Sequence, residues 1–146
     1  MKMVNAYILM APNILSMTNL KKININDNLE IDETGHKLGK IYLNRLSENL
    51  STSELKSYFI KFEKGAKSKI HIHDSDQILI GMEGIGQVVI FSKIDDTFEM
   101  KESLELVKGE AVLIPSGTPH RHGATENQTS SQLSFMKNSD TTWFDF

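Results

Sequence analysis

From about Leu20 onward the sequence breaks every few residues at Gly, Pro, Asp or Asn, and this punctuation constrains the fold more than any other feature. Runs too short for a useful helix, yet rich in β-branched and aromatic residues, form strands. Leu20–Ile25, Gly39–Leu46 and Leu55–Glu63 read as strands, the last stopped at Lys64-Gly65. Lys69–His73 alternates strictly and ends at Asp74-Ser75-Asp76, a turn composition. Gln77–Met82 and Gln87–Ser92 read as two strands joined by a tight hairpin at Glu83-Gly84-Ile85-Gly86. Asp95-Asp96 turns the chain before Phe98–Val107, and Lys108-Gly109 leads to Ala111–Ile114, stopped by Pro115-Ser116-Gly117. Gln132–Lys137 is one more strand, and Thr141–Phe146 is an aromatic tail. Only Ser51–Lys56 hints at a helical period. Many short strands at regular spacing predict an all-β sandwich or barrel.

Composition narrows the partners. The 146 residues suit one compact domain, and 39% hydrophobic with 24% charged residues is ordinary for a soluble globular chain. Net charge is −3, and the nearest basic patch, Lys61, Lys64, Lys67 and Lys69, is interrupted by Glu63. A nucleic-acid surface needs clustered cations to replace condensed counterions, so no nucleic-acid partner is expected. There is no cysteine, which excludes disulfides and thiolate metal sites and leaves nitrogen and oxygen as the metal ligands on offer. A cytoplasmic location is expected, although zero cysteine neither demands nor forbids it.

The segment Val4–Ala11 is apolar but is cut short by Pro12-Asn13, far below the roughly 20 residues of a membrane span. As a signal peptide it is poor, with one lysine before the apolar segment and no convincing small-residue cleavage site. Met17-Thr18-Asn19-Leu20 reads like a protein start. Residues 1–19 are therefore set apart as an N-terminal extension, either a mis-start or an added edge strand, before a single domain over residues 20–146.

Four of the five histidines fall in two places, His71-Ile72-His73 and His120-Arg121-His122. A spacing of two on a strand puts both side chains on one face, so two strands can converge three imidazoles on one ion. A His-x-His alone is weak evidence, because most such pairs in strands are incidental. The remaining histidine, His36, sits in Glu33-Thr34-Gly35-His36 and reads as a surface-loop residue.

The surrounding spacing makes the signal specific, because it resembles the two motifs of the cupins. Gly65 is followed after five residues by His71-x-His73, after three more by Gln77, and after six more by Gly84. Gly109 is followed after five residues by Pro115-x-Gly117 and after two more by His120. Two positions depart from the general pattern: Gln77 stands where Glu is usual and Ala124 where Asn is usual. The resemblance covers about Ser57 to Lys137. It implies a double-stranded β-helix, or jelly-roll barrel, with one divalent metal on His71, His73, Gln77 and His120. Imidazole with an amide oxygen accepts manganese, iron, cobalt, nickel or zinc. With Gln in place of a carboxylate, the ion keeps about one more unit of positive charge, which favours an anionic oxygen substrate.

Within that superfamily the chain looks like the small carboxymuconolactone-decarboxylase-associated cupins and the cupin-type hydroxynitrile lyases. The likeness rests on Phe62–Ser68, His71-x-His73-x-x-x-Gln77 and His120-Arg121-His122-Gly123-Ala124. In the lyases a proton-transferring histidine follows the last metal ligand by twelve positions; here that position is Gln132, which cannot shuttle a proton. The alignment and strand alternation place Tyr58, Ile60, Gln132 and Met136 along the pocket. Tyr58 and His122 are then the candidate catalytic groups, His122 as an acid/base, as a hydrogen-bonding support of the metal site, or merely as a hydrogen-bonded barrel residue. Two functions follow: a metal-dependent lyase, isomerase or decarboxylase acting on a small oxygenated anion, or a non-catalytic small-molecule-binding module. Covering an exposed sheet edge predicts a homodimer.

Overall fold

The computed structural model describes residues 20–146; the proposed N-terminal extension lies outside the described residues. The strands are β1 (Glu30–Ile31), β2 (Lys37–Leu38), β3 (Ile41–Arg45), β4 (Leu55–Phe62), β5 (Lys67–Ser68), β6 (His71–His73), β7 (Gln77–Ile94), β8 (Thr97–Val107), β9 (Ala111–Ile114), β10 (His120–Ala124), β11 (Ser130–Lys137) and β12 (Thr141–Trp143). One helical turn, α1 (Leu46–Asn49), separates β3 from β4. All pairing is antiparallel. A first sheet runs β1-β3-β4-β11-β7-β9. A second runs β2-β5-β10-β7-β8, with β6 between β10 and β12. The expected all-β jelly roll is the fold observed.

The strand that belongs to both sheets is β7, and it corrects the expected hairpin. Glu83-Gly84-Ile85-Gly86 does not reverse the chain, which continues as one strand from Gln77 to Ile94. Two events inside it explain why. An irregularity opposite Ser131/Gln132 leaves Met82 as an extra residue, so inward-facing positions switch from Gln77, Leu79 and Gly81 to Gly86 and Val88. Gly84 then takes φ +68°, and a Cβ there would strike the Thr129 carbonyl. The residues that look like a turn are a bend that carries one strand from the first sheet into the second.

Three further differences have local causes. Leu20–Ile25 forms no strand: the chain turns at Ile25-Asn26, where the Asn44 amide binds the carbonyls of Ile25 and Asp27, both at 2.9 Å. The Ser51–Lys56 window is not helical, because Ser51 sits at φ +59° and the helical turn closes before it. The C-terminal tail is extended only over Thr141–Trp143.

Apolar packing falls into three groups. Leu79, Val88, Leu106 and Ile114 fill one end of the interior between the sheets. Ile41, Ile60, Phe62, Ala66 and Ala124 pack the other, with Leu43 and Tyr58 against them. Ile70, Val89 and Phe91 lie under Phe98 and Phe144. Each fully buried aliphatic side chain contributes roughly 1.5–3 kcal/mol. The histidines of β6 and β10 are buried among these groups, with His122 meeting Phe62 edge to face at 5.6 Å.

Candidate metal centre

His71 and His73 project from β6, His120 and His122 from the neighbouring β10, with His71 directly opposite His120. All four imidazoles are buried, as is Gln77 at the start of β7. The ring centres of His71 and His120 lie 4.3 Å apart, and those of His73 and His120 5.2 Å apart. His71, His73 and His120 each offer a nitrogen within 4.8 Å of the others.

Hydrogen bonds decide which nitrogen faces the centre. The Nδ1 of His71 lies 2.8 Å from the Lys69 carbonyl, and that of His120 lies 2.8 Å from the Thr118 carbonyl. A carbonyl only accepts, so each Nδ1 carries the proton and each Nε2 keeps a free lone pair. The Nδ1 of His73 meets the Thr141 hydroxyl at 2.8 Å, and its Nε2 is buried without a partner. Gln77 donates from Nε2 to Ser134 Oγ at 2.8 Å, which turns its Oε1 to within 3.0 Å of His120 Nε2. Oxygen and nitrogen then meet lone pair to lone pair, with no proton to share.

Burial keeps these rings neutral. Desolvation, reinforced by the neighbouring imidazoles, lowers His71 well below the usual histidine range and His73 to about 3. Desolvation likewise lowers His120 and His122 to about 4. A buried acceptor without a donor costs about 1–3 kcal/mol, so this convergence of acceptors is unfavourable by itself. A cation relieves it. Two ligands at right angles, each about 2.1 Å from an ion, stand roughly 3.0 Å apart, the separation of Gln77 Oε1 from His120 Nε2. The donor set therefore fits a divalent metal.

The centre opens on a cavity of about 250 Å³. His71, His73, Gln77 and His122 line it, while His120 lies beneath them at 0% exposure. Tyr58, Ile60 and Met136 line it too, so the structure brings three of the four expected pocket residues together. Gln132 is the exception, because it is fully buried behind His122 rather than on the cavity wall. Its Nε2 donates to the Gly123 carbonyl at 3.0 Å and to Ser130 Oγ at 3.2 Å, and its Oε1 accepts from His122 Nδ1 at 2.8 Å. Gly86 leaves the space for this amide, since a Cβ there would meet Gln132 Nε2. His122 is thereby held as the Nδ1–H tautomer, with its Nε2 lone pair left for the cavity. Burial raises the Tyr58 phenol above its usual range, so it stays protonated.

Other lining residues escape sequence reasoning. His36 is not a simple loop residue: it stacks on Trp143 at 4.3 Å with the planes 5° apart, and Trp143 packs against His71 at 4.3 Å. Asp32, Arg45, Lys56 and Thr141 also line the cavity. For Arg45 and Lys56 a signal was available, since both share strand parity with pocket positions; for His36 and Asp32, in a loop, there was none.

The family profile described as Cupin matches residues 24–143. The chain belongs to the cupin family. No curated protein matches this cupin by sequence. Among solved structures it is similar to a cupin-like protein from Thermotoga maritima, at 23% identity over 84% of this chain and 89% of that one, with a TM-score of 0.66. The polyketide cyclase RemF from Streptomyces resistomycificus is 17% identical over 88% of this chain and 87% of its own, with a TM-score of 0.68. Oxalate decarboxylase from Bacillus subtilis is 16% identical over 73% of this chain, with a TM-score of 0.56, but the match spans only 28% of that enzyme. At these identities the likeness shows the fold. Among the described residues, no helix of the cupin is long and apolar enough to cross a membrane.

Proposed function

We propose that this cupin holds one divalent metal ion on His71, His73, Gln77 and His120 and is an enzyme acting on a small oxygenated anion. The observation that carries the reading is the convergence of unpaired lone pairs: the orphaned His73 Nε2, and Gln77 Oε1 set 3.0 Å from His120 Nε2. A first-row metal suits imidazole and amide oxygen, with manganese, iron, cobalt, nickel and zinc all acceptable. The fold neighbour oxalate decarboxylase contains Mn(II) centres. When bound, such an ion supplies Lewis-acid polarisation of a carbonyl or alkoxide oxygen.

The chain's own groups supply the rest. His122, neutral and fixed by Gln132, can take a proton at Nε2; Tyr58 can donate one from its hydroxyl. Ile60 and Met136 give the cavity an apolar wall that limits water around the reacting atoms. These roles suit lyase, isomerase or decarboxylase chemistry alike. They favour catalysis over a non-catalytic binding module, because a neutral base and a neutral donor face the same cavity. A homodimer fits the same reading: Phe135, Ile78 and Leu113 stand side by side and partly exposed on the outer face of the first sheet, where a second copy would cover them.

Metal analysis of protein purified without chelators, followed by thermal-shift screening of keto acids and uronates, tests the reading. About one equivalent of metal per chain is expected. Stripping it should lower stability by about 2.7 kcal/mol for free metal a hundredfold above Kd. Sub-stoichiometric metal and identical melting curves would overturn the assignment.

A further inference from the structure

Across the cavity from the histidines stand two cations that the metal reading leaves unused. Arg45 on β3 and Lys56 on β4 both line the cavity, and both are partly buried. The ion pairs among the described residues join Lys67 to Glu126 and Lys69 to Asp145, so neither cavity cation has a carboxylate partner there. Among the described residues Lys56 Nζ makes one hydrogen bond, to the Ser139 carbonyl at 2.9 Å, which leaves two N–H donors. Among the described residues the one carboxylate on the cavity wall is Asp32, whose Oδ1 accepts the Thr34 amide. Arg45 and Lys56 put two positive charges on the wall against the one negative charge of Asp32. Partly burying a cation without a counter-ion is unfavourable, and an arriving anion would offset it.

The register of the first sheet sets the distance such an anion must span. One row of paired residues runs Lys56, Met136, Gln77; the next runs Arg45, Tyr58, Ser134. Lys56 and Gln77 are thus two strands apart, roughly 10 Å between backbones at about 4.8 Å per strand. Both residues line the cavity of about 250 Å³, a volume that takes a chain of a few carbon atoms.

We infer that Arg45 and Lys56 form a second anion subsite, and that the ligand class is a short oxo-dicarboxylate. Its oxo-acid end lies at the histidine cluster and its far carboxylate between the two cations. Only the placement of the oxo-acid end rests on the metal reading; the far subsite stands on Arg45 and Lys56.

A matched pair of probes isolates the second carboxylate: 2-oxopentanedioate and 2-oxopentanoate, the same carbon chain with and without it. Calorimetric titration of the full-length, metal-loaded protein should show the dianion binding about 10- to 100-fold more tightly, the usual worth of a charge-assisted contact. Arg45→Gln and Lys56→Met should each erase most of that preference without changing the affinity for 2-oxopentanoate, and Arg45→Lys should restore part of it. Equal affinities in the wild type, no binding of the dianion, or a preference retained in both variants would overturn the inference. Repeating the titrations after chelation separates the two readings. If only the metal assignment fails, chelation changes neither affinity and the dianion preference persists. If only the second subsite fails, both probes bind in a metal-dependent manner and with equal strength.

Discussion

The two His-x-His pairs look interchangeable in sequence and differ in the folded molecule. On β6 the rings of His71 and His73 sit 4.7 Å apart, and each Nδ1 is held by a single oxygen, from Lys69 or Thr141. On β10 the rings of His120 and His122 are 6.3 Å apart. His120 is anchored to a backbone carbonyl and joins the β6 pair, whereas His122 is anchored to the Gln132 amide and stands aside from the cluster. Spacing decides that both members of a pair face inward. Every Nδ1 is bound to an oxygen, so it is the position of the ring that separates His120, within the three-histidine cluster, from His122, on the cavity beside it. One strand thus carries, two residues apart, a member of the histidine cluster and a residue that stands beside it.

The largest expected effect separates the members of the second pair. His120→Ala should abolish stoichiometric metal binding and bring the melting temperature of metal-treated protein down to that of the stripped form. His122→Asn should keep the metal, measured by elemental analysis, and lose about 10²–10⁴-fold in turnover once a substrate is in hand, the usual contribution of a positioned acid/base. If both variants lose metal alike, the two histidines are equivalent and the distinction fails.

A smaller effect tests what all four rings share. Burial holds His73 near 3, His120 and His122 near 4, and His71 well below the usual range, against about 6.5 in an unfolded chain. Between about pH 6.5 and 4 the unfolded chain therefore binds protons that the folded chain does not. The resulting stability is fully present above pH 6.5 and is lost as pH falls through that window. Each imidazole contributes up to about 1.4 kcal/mol per pH unit. Urea titrations of metal-free protein across this range should show the loss, and His122→Asn should make it shallower. A flat profile would mean the rings are solvated.

Much of this site was legible because it depends on short-range periodicity. His71 and His73 share a strand face by two-residue alternation, Gln77 and His120 join them through the resemblance to the cupin motifs, and the structure sets the four together. What could not be read depends on pairing across strands. Gln132 looks like a pocket residue by parity, but its neighbour Gly86 lacks a side chain, and the amide folds into that space behind His122. Gly84 and Gly86 read as a hairpin because local composition cannot distinguish a reversal from a bend between sheets. The stacking of His36 on Trp143 joins a loop before β2 to the last strand, residues over a hundred positions apart, and no local pattern records it. The bridges β1 and β2, two residues each, lie below the length at which alternation can be seen.

The central claim is that three imidazole nitrogens and one amide oxygen converge on a single ion while His122 does not. Anomalous diffraction from crystals of metal-loaded protein, collected at the edge of the metal found by elemental analysis, tests it most directly. A single strong peak is expected about 2.0–2.4 Å from Nε2 of His71, His73 and His120 and from Oε1 of Gln77, with His122 Nδ1 still bonded to Gln132. A peak ligated by His122, or well-ordered density with the Gln77 amide turned away from the three histidines, would contradict it.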